Sequence, residues 1–279
     1  MDSLTAKAVD SLTARAVDNL TARAVAILNT ADPAAKVAAT LAAAQAWTEG
    51  AITAIGAERP PPRPARPERP AILPPNKMPR RGTGAQAGRV AMFHALAHIE
   101  FNAIDLGWDI IARFADPALP KAFYDDWVMV AEQEAQHFTA LQTLMAEMGA
   151  TYGDLPAHDG LWQAAEKTAD SLERRLAVVP MTLEARALDT APHTVGKLGL
   201  AAEDDSVAAL RKIVDEEILH VAAGTRWFNH LCAQRGLDPA ARYQAIVREV
   251  FPKGLKRPFN VAGRNAAGLP PHYYDPLGV

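Results

Sequence analysis

Apolar residues recur three and four positions apart along much of the chain. Such a pattern places apolar side chains on one face of an α-helix. It predicts helices over about residues 86–114, 120–148 and 203–235, and a shorter one over about 239–250. The breaks between them are rich in proline or glycine, at 116–120, 149–160 and 196–205. The pattern therefore predicts an all-α protein built around long helices.

The segment between residues 161 and 200 is less regular. A helical pattern begins near Leu161 and meets Pro180, four residues before Glu184. Proline lacks an amide hydrogen and clashes with the preceding turn, so it ends or kinks a helix. We expect a crossover helix that ends near Pro180, or a kink at that position.

Residues 1–52 predict a helical N-terminal extension. An eight-residue unit occurs three times in tandem, beginning at Asp2, Asp10 and Asp18, and an alanine-rich helix is expected from Ala34 to Thr48. A period of eight does not match the helical turn, so the apolar positions drift around the helix. We interpret the repeat as a duplication that lengthens the first helix; an oligomerisation or partner arm is the alternative.

Proline and arginine dominate residues 59–70, which indicates an extended polyproline segment. We expect residues 53–85 to form an ordered strap over the helices, with binding of an acidic partner or RNA as the alternative. The helical core is expected at 86–235. Residues 236–279 are expected to form a short helix and an irregular tail that covers the functional site.

Potential metal ligands interrupt the apolar stripes twice in the same pattern. A single Glu is followed 34 positions later, and in the second copy 33 positions later, by Glu-x-x-His. Residues three apart share a helix face, so each Glu and His pair can reach one ion. Two such sets form a dinuclear metal site in a four-helix bundle. The predicted ligands are Glu100, Glu134, His137, Glu184, Glu217 and His220.

The charge of this set indicates the kind of metal. Four buried carboxylates would be very costly without cations, and two divalent ions neutralise their charge. Oxygen-rich ligation with one imidazole per ion suits iron or manganese better than a thiolate-binding metal. We expect two iron ions, with manganese or a mixed iron–manganese pair as the alternative.

Other polar residues are candidates for supporting roles. Metal-bound imidazoles usually donate their second nitrogen to a carboxylate, amide or carbonyl. Gln133 and Glu216, each just before a ligand Glu, are candidates for this role, as are Asp105 and Asp215. Glu173 is the alternative to Glu184 as a metal ligand. The arginines that follow Glu173 indicate that it lies on a solvated helix face, so Glu184 is preferred.

The six residues resemble the di-iron carboxylate set of the ferritin-like superfamily, which includes rubrerythrins, manganese catalases and di-iron oxygenases. More narrowly, the stretches His94–Trp108, Tyr152–Trp162 and Asp215–Phe228 resemble an uncharacterised ferritin-like group, domain-of-unknown-function family 455. The resemblance covers roughly residues 20–275 and implies a ferritin-like four-helix bundle with a dinuclear metal site. It implies no particular substrate.

Composition excludes several other classes. The net charge of −3, from 29 basic and 32 acidic residues, gives no overall signature for nucleic acid or an anionic membrane. The single cysteine, Cys232, excludes an internal disulfide and a Cys-x-x-Cys metal site, and we expect it to be a small core residue. Without an apolar run of about 18 residues or a signal-peptide pattern, the expected location is cytoplasmic.

These observations favour an O2- or peroxide-dependent oxidoreductase that acts on an unknown small-molecule substrate. A ferroxidase or other metal-handling protein without an organic substrate is the first alternative. A manganese centre that dismutates peroxide is the second, and a structural metal centre in an interaction protein is the third. The expected partners are the substrate and O2 or peroxide, without a membrane; the charge disfavours nucleic acid, and a homodimer is left open.

Overall fold

The computed structural model describes residues 18–199 and 204–279. In these ranges the protein is all-helical and has no strand. There, β-type pairing is limited to isolated backbone bridges, such as that between Ile72 and Ala157. The all-α class is thereby confirmed. The helices are α1 (Leu20–Leu28), α2 (Pro33–Thr48), α3 (Gln86–Arg113), α4 (Lys121–Glu147), α5 (Gly160–Glu166), α6 (Leu172–Val178), α7 (Ala185–Leu198), α8 (Asp204–Gln234), α9 (Pro239–Val250), α10 (Val261–Ala266) and α11 (Pro271–Tyr274). Short 3₁₀ turns lie at Pro75–Lys77 and Asp275–Leu277.

The long helices form two hairpins that pack side by side. Helix α3 packs along α4, and α7 packs along α8, while α4 and α8 join the two hairpins. The predicted bounds of α3, α4, α8 and α9 agree with the observed ones to within one residue at each end, because each helix carries a long apolar stripe between breakers. Helices α1 and α2 pack on α3 and α4, so the N-terminal segment contributes to the same core.

The third long segment changes its winding at the predicted proline. Helix α6 ends at Val178, a π-helical turn spans Val179–Glu184, and α7 follows without a break. In this turn the Thr182 hydroxyl donates to the carbonyl of Ala177, five residues earlier, at 2.7 Å. Helix α8 passes so close that a Cβ on Gly224 would lie 2.6 Å from the Pro180 ring, which makes glycine necessary there.

Ion pairs hold the proline- and arginine-rich strap on the helices. Arg66 lies 2.7 Å from a carboxylate oxygen of Asp105, which also pairs with the buried Lys36 of α2. Arg63 pairs with Asp159 at the start of α5. Arg63 and Arg66 therefore each have an acidic partner within the chain.

The C-terminal tail packs on the second half of the helical core. Helix α10 contacts α7 and α8, and α11 contacts α9. The buried Arg264 binds both carboxylate oxygens of Asp189 on α7, at 2.8 and 2.7 Å. The tail therefore packs on α7, α8 and α9, and that it covers the functional site stays a prediction.

The repeat at the N-terminus lies mostly outside the described residues. Of its three copies, only the last, at 18–25, is described, and it begins α1. Asn19 caps this helix by accepting from the amide of Ala22 at 2.8 Å, and the Thr21 hydroxyl binds Glu58. No helix in the described ranges is both long enough and apolar enough to cross a membrane.

Candidate metal centre

The six predicted ligands lie on four neighbouring helical segments, and all are buried. Glu100 is on α3, and Glu184 is the last residue of the π-helical turn. The two Glu-x-x-His pairs are on the facing helices α4 and α8. Glu184 is the most exposed of the six, at only 8%. All six are thus turned inward, and for the five other than Glu184 this burial follows from their position within the apolar stripes.

Four of the six residues converge most closely. One ligand atom from each of Glu100, Glu134, His137 and Glu217 lies within 4.8 Å of the others. His137 Nδ1 is 3.5 Å from a carboxylate oxygen of Glu134 and 3.6 Å from one of Glu100. A buried group of three carboxylates and an imidazole at this spacing could hold a metal ion.

His220 lies beside the same group on its other side. Its Nδ1 is 3.0 Å from the second carboxylate oxygen of Glu134 and 3.8 Å from an oxygen of Glu217. The two imidazole rings are 5.6 Å apart, centre to centre. The Glu134 carboxylate therefore lies between the two histidines and turns one oxygen toward each.

The outer nitrogens of the two histidines are held across the helix pair. His137 Nε2 lies 2.8 Å from an oxygen of Glu216, and His220 Nε2 lies 2.9 Å from the amide oxygen of Gln133. These are two of the residues predicted for this role. Asp105 instead pairs with Lys36 and Arg66, and Asp215 is exposed.

The inner atoms of the site have no hydrogen-bond partner. They are Glu100 Oε2, both oxygens of Glu134, Glu184 Oε2, Glu217 Oε2, His137 Nδ1 and His220 Nδ1. A neutral imidazole that donates from Nε2 presents a lone pair at Nδ1. That lone pair would face carboxylate oxygens, and the contact is repulsive unless a cation or a proton lies between them. The donor set thus fits bound metal ions.

Electrostatics show how unfavourable the cluster is without such ions. Burial, and then repulsion by Glu134 and Glu100, raises the pKa of Glu184 to about 8. Burial and Glu134 likewise raise the pKa of Glu100 to about 8. Burial, with the nearby His137, lowers the pKa of His220 to about 3. Burial opposes the charge of His137 as well, yet its carboxylate neighbours raise its pKa to about 11. The buried carboxylates therefore favour the binding of protons or cations.

Glu184 and the alternative ligand Glu173 lie in different surroundings. Glu173 binds Arg242 and Arg235 at 2.8 and 2.9 Å, away from the cluster. It is buried, so the prediction of a solvated face from its neighbouring arginines is wrong, because these two arginines, from α9 and from the end of α8, cover it. Glu184 instead has an unpaired buried oxygen and shares a cavity with Glu100, Glu134 and Glu217.

That cavity has a volume of about 580 Å³ and adjoins the four carboxylates. Apart from them its wall is mostly aliphatic, with residues such as Ile99, Leu183, Val195, Leu210 and Ile213. Arg81, His158 and Arg186 also line it. Sequence reasoning did not assign Arg81 to the site, because it lies in the irregular segment before α3, where no periodicity shows which way a side chain faces.

Comparisons with known proteins agree on one family. The family described as "Protein of unknown function (DUF455)" matches residues 29–275. An uncharacterised protein of Haemophilus influenzae is 37% identical over 216 residues, which cover 76% of this chain and 75% of that relative. No solved structure matches the chain significantly. The match over most of its length shows that the chain belongs to the DUF455 family of proteins of unknown function.

Proposed function

We propose that this protein is a dinuclear carboxylate protein, with two iron ions in a ferritin-like four-helix bundle, that uses O2 or peroxide to oxidise a small-molecule substrate. The observation that carries the proposal is the set of buried donor atoms without partners on four helical segments. Unpaired buried polar atoms are rare in folded proteins, and an ion or water explains most of them.

The residues divide into two groups around Glu134. Glu100 and His137 lie on one side of its carboxylate and His220 on the other, and Glu217 adjoins both groups. Glu184 completes the second group from the wall of the shared cavity. Two divalent cations match the charge of the four carboxylates, and the oxygen-rich set suits iron or manganese.

The metal ions, when bound, would supply the redox chemistry toward O2 or peroxide. The chain's own residues would bind and orient the substrate. The aliphatic wall would hold the apolar part of a substrate beside the cluster. Arg81 and Arg186 line the cavity, and because Arg186 already pairs with Asp189, Arg81 is the residue that would offer a polar contact to part of a substrate.

The cavity favours an organic substrate over metal storage. Small-molecule sites usually enclose about 300–1,000 Å³ and are mainly apolar with a few polar groups. The volume of about 580 Å³ falls within that range. A protein that only oxidises and stores iron has no need for an aliphatic cavity of this size beside its ligands.

Metal analysis tests the proposal. We expect about two iron ions per chain after anaerobic loading with Fe(II), and a transient absorption band on exposure to O2. H220A should lose at least one ion, whereas H193A, which removes an exposed histidine of α7, should keep both. Absence of stoichiometric metal, or full loading of H220A, would contradict the proposal. Two manganese ions in the purified protein would instead favour peroxide dismutation.

A further inference from the structure

The two histidines of the cluster differ in the residue that supports them. His137 Nε2 is 2.8 Å from a carboxylate oxygen, that of Glu216, whereas His220 Nε2 is 2.9 Å from an amide oxygen, that of Gln133. The rest of the pattern is repeated in the two halves of the site. This exchange of a carboxylate for an amide makes the halves chemically unequal.

The difference affects how strongly each imidazole can bind a metal ion. Each Nδ1 points at the cluster, so a metal-bound ring carries its proton on Nε2 and donates it outward. A bond to a carboxylate is charge-assisted and roughly twice as strong as a bond to a neutral amide. It draws the proton outward, leaves more electron density on the ring and makes the imidazole a better ligand.

Lys212 fixes Glu216 in place for this role. Its Nζ lies 2.7 and 2.6 Å from the two oxygens of Glu216, one helical turn along α8. The lysine side chain is 58% exposed and that of Glu216 only 20%, so solvent screens the lysine charge more than the carboxylate. The pair therefore holds the carboxylate in position beside His137.

A second feature of the geometry also favours the position at His137. The ligand atoms that already converge within 4.8 Å belong to Glu100, Glu134, His137 and Glu217. Neither His220 nor Glu184 is in that group. A site whose ligands are already gathered loses less conformational freedom when it binds an ion.

We infer that the two metal positions are unequal: the position at His137 binds its ion more tightly and fills first, and Glu216 acts through His137 as the positioning residue that sets this order. The inference rests on the proposed dinuclear centre. It assigns Gln133 the corresponding but weaker role at His220, so the second position fills later and exchanges its ion more readily.

Zn(II) titration followed by NMR of nitrogen-15-labelled histidine tests the order without any enzymatic assay. The Nδ1 resonance of His137 should shift with the first equivalent and that of His220 with the second. H137A and H220A assign the two resonances. E216Q should weaken the first step about 10- to 100-fold, and Q133E should tighten the second. D215N is the matched control, because it removes a neighbouring exposed carboxylate of the same helix and should change neither step.

The outcomes separate this inference from the proposed function. Two zinc ions that bind together, or at His220 first, would overturn the inference and leave the dinuclear centre intact. So would an E216Q titration that matches D215N. No zinc at either histidine would overturn the dinuclear centre and the inference with it.

Discussion

Replacing Glu184 with glutamine should stabilise the metal-free protein and destabilise the metal-loaded one. Glutamine has the size of glutamate but no charge and no proton to lose. Burial and two carboxylate neighbours raise the pKa of Glu184 to about 8. The side chain must therefore stay protonated in the folded metal-free protein near neutral pH, although it would ionise freely once the chain unfolds.

The magnitude follows from the difference between the folded and unfolded pKa values. The unfolded value is 4.5, so between pH 4.5 and about 8 the folded state binds more protons than the unfolded state. Below pH 4.5 the burial of Glu184 therefore costs the protein no stability through its ionisation. Above that pH the free energy of unfolding falls, by at most about 1.4 kcal/mol per pH unit. From about pH 5.5 to 7.5 the wild-type protein should lose about 2.5 kcal/mol that E184Q does not lose.

Urea unfolding with a strong chelator, at these two pH values, measures the difference. E147Q is the control, because Glu147 is exposed at the end of α4 and should leave the wild-type pH dependence unchanged. Saturating Mn(II) should reverse the order of stability, since wild-type protein keeps the ligand that E184Q has lost. If E184Q follows the wild-type pH dependence in chelator, Glu184 is not the desolvated carboxyl described above.

Three further predictions concern packing and reactivity. G224A should destabilise the protein by about 2 kcal/mol and lower metal binding, because its methyl group would press on Pro180; calorimetry and metal analysis check both effects, and an unchanged Tm would contradict the close contact. K36M should cost about 3 kcal/mol in urea unfolding by leaving the buried Asp105 short of a partner, and K36M/D105N should recover part of it; no recovery would point to lost packing instead. Cys232, whose pKa burial raises to about 11, should react with a thiol reagent at least about tenfold more slowly in the native protein than in urea, and equal rates would show that it is accessible.

The sequence predicts the helices and the cluster well because both are periodic. Apolar stripes bounded by proline and glycine define α3, α4 and α8 to within one residue at each end. The two Glu-x-x-His pairs lie within those stripes, so their burial follows from the same pattern. Gln133 and Glu216 could be proposed as supports because each stands next to a ligand.

Features that depend on how the segments pack cannot be read from periodicity. Nothing in the spacing shows that each supporting residue holds the histidine of the other helix. Lys36 lies in an alanine-rich helix of low amphipathicity, and its burial beside Asp105 arises only when α2 packs on the core. The tail has no periodic pattern, so its contacts with α7 and α9 could not be predicted from the sequence.

The π-helical turn at Val179–Glu184 bears on how the length of this segment can vary among relatives. A π-helical turn holds about one residue more than the α-helical turn it replaces. The positions that face the core are therefore shifted by one residue between the helix before the turn and the helix after it. A relative that lacks the extra residue would have to carry its carboxylate one position closer to the proline to keep it beside Glu134. Sequence alignments of the family should therefore place their gaps at this turn, where a single insertion or deletion can be absorbed without disturbing α8.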